Sequence, residues 1–372
     1  MEAIGPRSHA TVLKVTEPEP PRPLSDVGAK KATSSVIDVR SSLSLSPASC
    51  SNDNSSHGGG GSATPATTDT SATFGSRLLT PKQDVFEYNA WDHVDPGSDH
   101  ERYAEEMIRQ QREFPAPAEE KDAYNARPNE FWDQFYQSNQ NKFFKDRKWL
   151  KLEFPELFNW TSSPRFSSAS RVRVMELGCG AGNIVFPLLQ EMPDRRLMVH
   201  ACDFSKTAVE VVKGTREKLQ PEDQARCDAF IWDISSDRLP EGVAEGSVDF
   251  IVMVFVFSAL HPSQWRQTID NLYKASLLKP GGMVFFRDYG RYDLAQVRFK
   301  KHRLLEDNLY ARGDGTRVYF FTSEQIHAFF GERFVVEQNA VDRRLIVNRK
   351  RKVKMYRVWL QGKFRKPDWL DP

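Results

Sequence analysis

The residues able to do chemistry gather around one short run, Val174-Met175-Glu176-Leu177-Gly178-Cys179-Gly180-Ala181-Gly182-Asn183, which closes an apolar strand and opens an apolar helix. Gly178, Gly180 and Gly182 alternate, and side-chain-free residues at that spacing let backbone approach a flat, charged small molecule closely. Roughly two dozen residues on, the apolar run Leu197-Met198-Val199-His200-Ala201-Cys202 ends on Asp203, where a second parallel strand delivers a carboxylate to ribose hydroxyls. The next run, Ala229-Phe230-Ile231-Trp232, ends on Asp233 and Ile234, which suits an acceptor for an adenine amino group with an apolar wall beside the ring. Either acid alone reads equally as a helix cap or a turn. Two acid-ended strands behind one glycine turn point instead to a bound nucleoside. Dinucleotide sites set their third glycine one residue later, so this spacing fits S-adenosylmethionine better than a nicotinamide.

The elements that must position these residues alternate in type. Val248 to Phe257 and Gly282 to Phe286 are continuous apolar runs of the kind buried on both faces of a sheet, with Trp265 to Leu278 as a crossover helix between them. A further helix is predicted from Ala208 to Leu219. Strand and helix alternating in this way predict an α/β fold with a doubly wound parallel sheet. Val318 to Phe321 and Val353 to Leu360 are late strand candidates for an antiparallel edge. A Rossmann-like class I methyltransferase sheet of about seven strands accounts for this region.

Composition divides the 372 residues into a tail and one domain with an extension. Only one aromatic residue, Phe74, lies in the first 76 positions, which are rich in Ser, Thr, Pro and Gly and cannot bury enough apolar surface to offset their ordering entropy. Residues 1–76 are therefore expected to be a disordered low-complexity tail, 77–170 a helical N-terminal extension, and 171–366 the catalytic domain. The tail carries acids throughout and is a poor secretory signal and only a weak transit peptide. No run is long enough in apolar residues to span a membrane, so no membrane partner is expected. The four cysteines show no paired metal spacing; they predict no metal and a reducing compartment, the cytoplasm or alternatively the nucleus. Cys179 and Cys202 read as small buried thiols.

Formal charge is only +2, but its distribution is uneven. Between Arg343 and Lys366 stand eleven Lys or Arg and no acid, with Arg349, Lys350, Arg351 and Lys352 consecutive. Such a run is usually a solvated face; one this unbalanced is also a candidate phosphate-binding surface. Upstream, Phe131 with Phe135 and Trp132 with Tyr136 share a helix face, and Phe143, Phe144 and Trp149 interleave with Lys142, Lys145, Arg147 and Lys148. A helix packed on the core explains the first pattern. The second combines rings that stack on unpaired bases with cations that hold phosphates, as recognition of loop RNA requires.

These segments resemble a known family. Phe143-Phe144-Lys145-Asp146-Arg147, the glycine run from Glu176 to Asn183, Ala201-Cys202-Asp203-Phe204-Ser205, and Arg312-Gly313-Asp314-Gly315-Thr316-Arg317-Val318-Tyr319-Phe320-Phe321 are similar to the methyltransferase-like enzymes that make 3-methylcytidine in the tRNA anticodon loop. The resemblance runs from about Leu79 to Phe364, and Asp84 to His93 looks like the branch acting on threonine tRNA. It implies a cofactor site of Trp132, Tyr136, Gly178, Asp203, Asp233, Ile234 and Val254, to which the glycine spacing adds Gly180. It also implies that Phe143, Phe144, Lys145, Asp146 and Arg147 meet the tRNA, at a cytidine conventionally numbered 32. Serine tRNA is a second candidate substrate, and an aminoacyl-tRNA synthetase or other accessory protein a candidate partner. The long tail and a slightly longer connection from Gly182 to Asp203 depart from the family pattern without touching a motif.

What the sequence lacks narrows the acceptor. Methylation at cytosine carbon needs a cysteine nucleophile, and none stands after the fourth strand. Methylation of an exocyclic amine commonly uses Asn or Asp, two prolines and an aromatic; here Ser258-Ala259-Leu260-His261-Pro262 stands in that place. A ring nitrogen such as N3 of cytosine already carries an in-plane lone pair, so it needs no general base, but it lies on the Watson-Crick edge and must be unpaired. Asp288 and Tyr289, just past the fifth strand, are the catalytic candidates: Asp288 to accept from the cytosine amine, Tyr289 to position the ring. The alternative is a strand-end turn held by Gly290, and His261 reads as a satisfied loop histidine. The cofactor half alone leaves two other functions open, a methyltransferase for a small molecule or protein and a non-catalytic RNA-binding partner.

Overall fold

The computed structural model describes residues 77–147, 149–166, 170–273 and 277–368. The expected tail, 1–76, lies outside the described residues, as do Cys50 and Lys148. Val172-Arg173-Val174-Met175-Glu176-Leu177 forms β2 (Val172–Leu177) at the middle of the sheet, with five of its six side chains buried. Val174 lies opposite Val199 of β3 (Leu197–Asp203) on one side and Phe250 of β5 (Val248–Val254) on the other, both in parallel register. From β2 the chain steps out through β3 to β4 (Cys227–Ile231), then crosses back to β5 and β6 (Leu278–Tyr289). That reversal sets the loops after β2 and β5 side by side at the carboxyl edge, the switch point at which open α/β sheets bind ligands.

The main sheet has eight strands in the order β1 (Ala90–Asp92), β10 (Val335–Asn348), β11 (Val353–Arg365), β6, β5, β2, β3, β4. Seven come from the predicted catalytic region; the eighth, β1, comes from the extension and pairs antiparallel with β10. Its Trp91 is fully buried opposite Leu345, and the indole N–H donates to the Val85 carbonyl at 2.7 Å. The late strands differ from expectation. β11 is not an edge but is inserted antiparallel between β6 and β10. The other candidate, Val318 to Phe321, starts within β9 (Arg317–Tyr319), part of a separate three-stranded sheet with β7 (Leu304–Glu306) and β8 (Leu309–Ala311). β10 escaped the sequence reading because Glu337, Gln338, Asp342, Arg343 and Arg344 interrupt its apolar pattern; its partial burial lets ion pairs replace apolar contacts.

The extension packs by polar as well as apolar contacts. On helix Gly97–Glu113, buried Gln111 donates through Nε2 to the carbonyls of Gln296 (3.0 Å) and Phe299 (3.1 Å) and accepts from the Tyr310 hydroxyl at 2.8 Å. Helix Pro128–Asn139 opens on a proline, whose missing N–H costs nothing in a first turn, and buries Phe135 and Tyr136. No helix among the described residues is long and apolar enough to cross a membrane.

Candidate active site

The loops after β2, β3, β4 and β5 surround one cavity, and helix Pro128–Asn139 contributes to its wall. The glycine turn forms part of that wall, with Gly178 at φ +62° and Gly180 at φ +53°, a region that penalises any residue with a Cβ. Space is equally restrictive, because a Cβ on Gly178 would collide with the Val256 side chain and one on Gly180 with the Tyr136 hydroxyl.

Asp203, at the end of β3, accepts from the Gly180 N–H through Oδ2 and from the Ser205 N–H through Oδ1, both at 2.9 Å. A carboxylate offers about four acceptor sites, so two such bonds leave capacity for a ligand's hydroxyls. Burial pushes its pKa up to about 6, against which the Ser205, Gly180 and Phe204 N–H groups act. Past β4, Asp233 Oδ1 accepts from the Ser235 N–H at 2.9 Å and the Ser235 hydroxyl at 2.7 Å, and no donor among the described residues reaches Oδ2. Ile234 and Trp232 flank it as buried apolar wall. Glu176, also lining the cavity, accepts from the Val185 N–H at 3.1 Å, and burial holds its carboxyl well above the usual range.

Trp132 and Tyr136, one helical turn apart, stack with centroids 6.1 Å apart and both face the cavity. Their helix is pinned by Asp133, whose Oδ1 accepts from the Ser205 hydroxyl at 2.6 Å and the Thr207 N–H at 3.0 Å. Val254 ends β5 on the opposite wall. The predicted strand over Val248 to Phe257 stops there because Phe255 takes φ +60°, an outlier for a bulky aromatic, and turns into the cavity lining. All eight expected cofactor residues, Trp132, Tyr136, Gly178, Gly180, Asp203, Asp233, Ile234 and Val254, therefore face one space.

The basic and aromatic segment divides. Phe144 and Arg147 line the same cavity, whereas Phe143 packs its ring on Phe135 at 4.8 Å, and Lys145 and Asp146 are exposed. The Arg147 guanidinium lies 5.7 Å from the Phe144 ring and 5.5 Å from the Phe255 ring, with no hydrogen bond or ion pair to it among the described residues; burial lowers its pKa. Asn183, directly after the glycines, holds the segment in place. Its carbonyl accepts the Arg147 N–H at 2.9 Å, and its Nδ2 donates to the Phe144 carbonyl at 3.2 Å and Asp146 Oδ1 at 3.3 Å.

Two expectations need correction. Asp288 is fully buried off the cavity wall; its Oδ2 accepts from the Ser258 N–H and its Oδ1 from the Tyr289 N–H, both at 2.8 Å. It anchors the loop after β5, so its surroundings do not offer it to a base. Tyr289 likewise packs into an aromatic cluster, 4.8 Å from Phe255 and 5.7 Å from Phe320. The basic run also shrinks as a phosphate surface, because acids from outside it occupy four of its cations. Arg357 pairs with Asp293 (2.8 Å), Lys363 with Glu156 (2.7 Å), Arg365 with Glu337 (2.6 Å), and Arg344 with Asp92, Glu153 and Asp342. Arg349, Lys350, Arg351 and Lys352 stay exposed at the β10–β11 turn, where Lys352 lies over the Phe86 ring. His261 is held by Ser263 and Glu306.

Sequence reasoning missed Glu176, Asn183, Phe255, Gln264 and Arg317 as cavity residues. Glu176 and Asn183 bracket the glycines and were recoverable from that position; Phe255 was hidden inside an apolar run. The donor set suits S-adenosylmethionine: a glycine cradle that a Cβ would fill, carboxylates for a ribose and an amine, and apolar walls for the adenine.

The methyltransferase domain family matches residues 175–284. A tRNA N(3)-methylcytidine methyltransferase of Schizosaccharomyces pombe is 48% identical over 314 residues, covering 84% of this chain and 98% of that protein. A tRNA(Thr) (cytosine(32)-N(3))-methyltransferase of Saccharomyces cerevisiae is 49% identical over 297 residues, 79% of this chain and 46% of that longer protein. A tRNA N(3)-cytidine methyltransferase of Danio rerio is 43% identical over 320 residues, 79% of this chain and 89% of its own.

Proposed function

The chain belongs to the tRNA N3-methylcytidine methyltransferases, and from that membership we propose that it methylates N3 of cytidine 32 in the anticodon loop of threonine tRNA, with serine tRNA as the second candidate. The observation that carries this reading is the shared wall: Phe144 and Arg147, from the segment suited to RNA, line the same cavity as the glycine turn and the strand-end acids. A small acceptor would need no such segment. A scaffold without activity would need neither the glycine cradle nor the partnerless Asp233 oxygen.

S-adenosylmethionine bound among Trp132, Tyr136, Gly178, Gly180, Asp203, Asp233, Ile234 and Val254 supplies an electrophilic methyl group. The chain's part is to align the acceptor and exclude water. Asp203 would accept from ribose hydroxyls and Asp233 from the adenine amine, with the Trp132–Tyr136 pair covering them from the extension. The acceptor nitrogen of neutral cytosine has its lone pair free, so no residue has to remove a proton before attack. Arg147, flanked by two rings with its donors unsatisfied, is the group suited to hold the base carbonyl or a neighbouring phosphate. Incubating the protein with labelled cofactor and unmodified threonine or serine tRNA, then mapping the methylated nucleoside, tests the reading. Label in 3-methylcytidine at position 32 is expected; label elsewhere, or none, refutes it.

A further inference from the structure

Acids engage Arg344, Arg357, Lys363 and Arg365 of the Arg343–Lys366 run, and a second group of cations stands in the loop that follows helix Leu294–Val297, beyond β6. Arg298-Phe299-Lys300-Lys301-His302-Arg303 contains four cations and no acid. Arg298, Lys300 and Lys301 are exposed, and no hydrogen bond or ion pair reaches the side chains of Arg298 and Lys300 among the described residues. The acids nearest in sequence are already committed: Asp293 to Arg357, Glu306 to Lys121 and His261, Asp307 to Arg112.

The loop is held in place. The Phe299 carbonyl accepts from Gln111 Nε2 at 3.1 Å, the His302 N–H donates to the Phe114 carbonyl at 2.8 Å, and Lys301 Nζ sits 3.5 Å from the Phe114 ring centroid. His302 takes φ +62°, which turns the chain sharply at this point. The loop also connects to the cavity. Phe299 meets Phe320 at 6.2 Å, Phe320 meets Tyr289 at 5.7 Å, and Tyr289 meets Phe255, a cavity wall, at 4.8 Å. A nucleotide with its base in the cavity keeps its phosphates outside, so the polyanion must continue over the surface around the mouth.

We propose that Arg298, Lys300 and Lys301 form a second phosphate-binding face that takes the tRNA backbone flanking the target nucleotide. This rests on the tRNA reading above. Fixed, unneutralised cations suit a phosphodiester backbone, in which each contact displaces a condensed counterion.

The test is binding of unmodified threonine tRNA by the full chain across a salt series, for wild type, Arg298→Ala/Lys300→Ala, Arg298→Lys/Lys300→Arg and Lys145→Ala. Two lost contacts should reduce the slope of log affinity against log salt by about 1.4 to 1.8 and weaken binding about tenfold near 0.1 M salt. The affinity for S-adenosylhomocysteine and kcat at saturating tRNA should not change. The charge-conserving pair should restore the wild-type slope. A double-alanine variant that binds with wild-type slope and affinity overturns the inference, as does a charge-conserving variant that stays defective, since packing would then be the cause. Wild type that binds tRNA without a salt slope, and makes no 3-methylcytidine, refutes the underlying reading instead. A loss in Lys145→Ala with none in the double-alanine variant overturns only the second face.

Discussion

Lowering the pH from 7 to 5 should weaken cofactor binding about tenfold, because Asp203 must be ionised to accept from a ligand's hydroxyls while holding the Gly180 and Ser205 N–H groups. Its pKa in the ligand-free protein is raised from 3.8 to about 6, chiefly by burial. The competent fraction then falls from about nine-tenths at pH 7 to about one-tenth at pH 5, a difference of roughly 1.3 kcal/mol in binding free energy. The fold responds with the opposite sign. A carboxyl whose folded pKa lies above its unfolded value contributes stability that is complete below the unfolded pKa and is lost as pH rises through the folded one. For Asp203 that window is about pH 4 to 6, and the loss is on the order of 3 kcal/mol. Asp288, also raised to about 6 by burial, loses stability over the same window but faces no ligand, so it leaves the binding curve alone. Calorimetric titration with S-adenosylhomocysteine at pH 5, 6 and 7 measures the effect, and Asp203→Asn should bind weakly at every pH with no slope. A flat wild-type profile, or a slope that persists in Asp203→Asn, would falsify the assignment.

Gly180→Ala forces a Cβ into φ +53° and against the Tyr136 hydroxyl, so it should cost about 1 to 2 kcal/mol in strain alone and cut cofactor affinity at least tenfold; wild-type affinity in this variant would mean that the turn does not hold the ligand. Asp133→Ala removes the bonds to Ser205 and Thr207 that pin helix Pro128–Asn139, and is expected to raise KM for the cofactor several-fold with a smaller effect on kcat. An unchanged KM would show that helix to be held by its aromatic contacts alone. Asp288→Asn leaves a buried N–H facing an amide in place of a carboxylate, so thermal stability should fall by about 2 kcal/mol while single-turnover methylation by the folded fraction at saturating tRNA changes little. A drop of several hundredfold in that rate at unchanged stability would return Asp288 to the chemistry.

What the sequence by itself determined was local and periodic. Apolar runs long enough to be buried on both faces marked β2, β3, β4, β5 and part of β6, and the alternating glycines marked the turn that no side chain could enter. Acids at the ends of parallel strands converge because the topology leaves those ends side by side, so Asp203 and Asp233 could be named as a pair before any coordinate. Tertiary structure decided whatever depended on partners far along the chain. Arg344, Arg357, Lys363 and Arg365 read as unopposed charge until Asp92, Glu153, Glu156, Asp293 and Glu337 fold against them. Asp288 reads as an available acid until the N–H groups of Ser258 and Tyr289 occupy it. Phe255 reads as one more strand residue until its backbone turns left-handed and its ring flanks Arg147. In each case the residue's chemistry was legible, but whether that chemistry was free or already satisfied depended on which distant groups the fold brought within hydrogen-bonding reach.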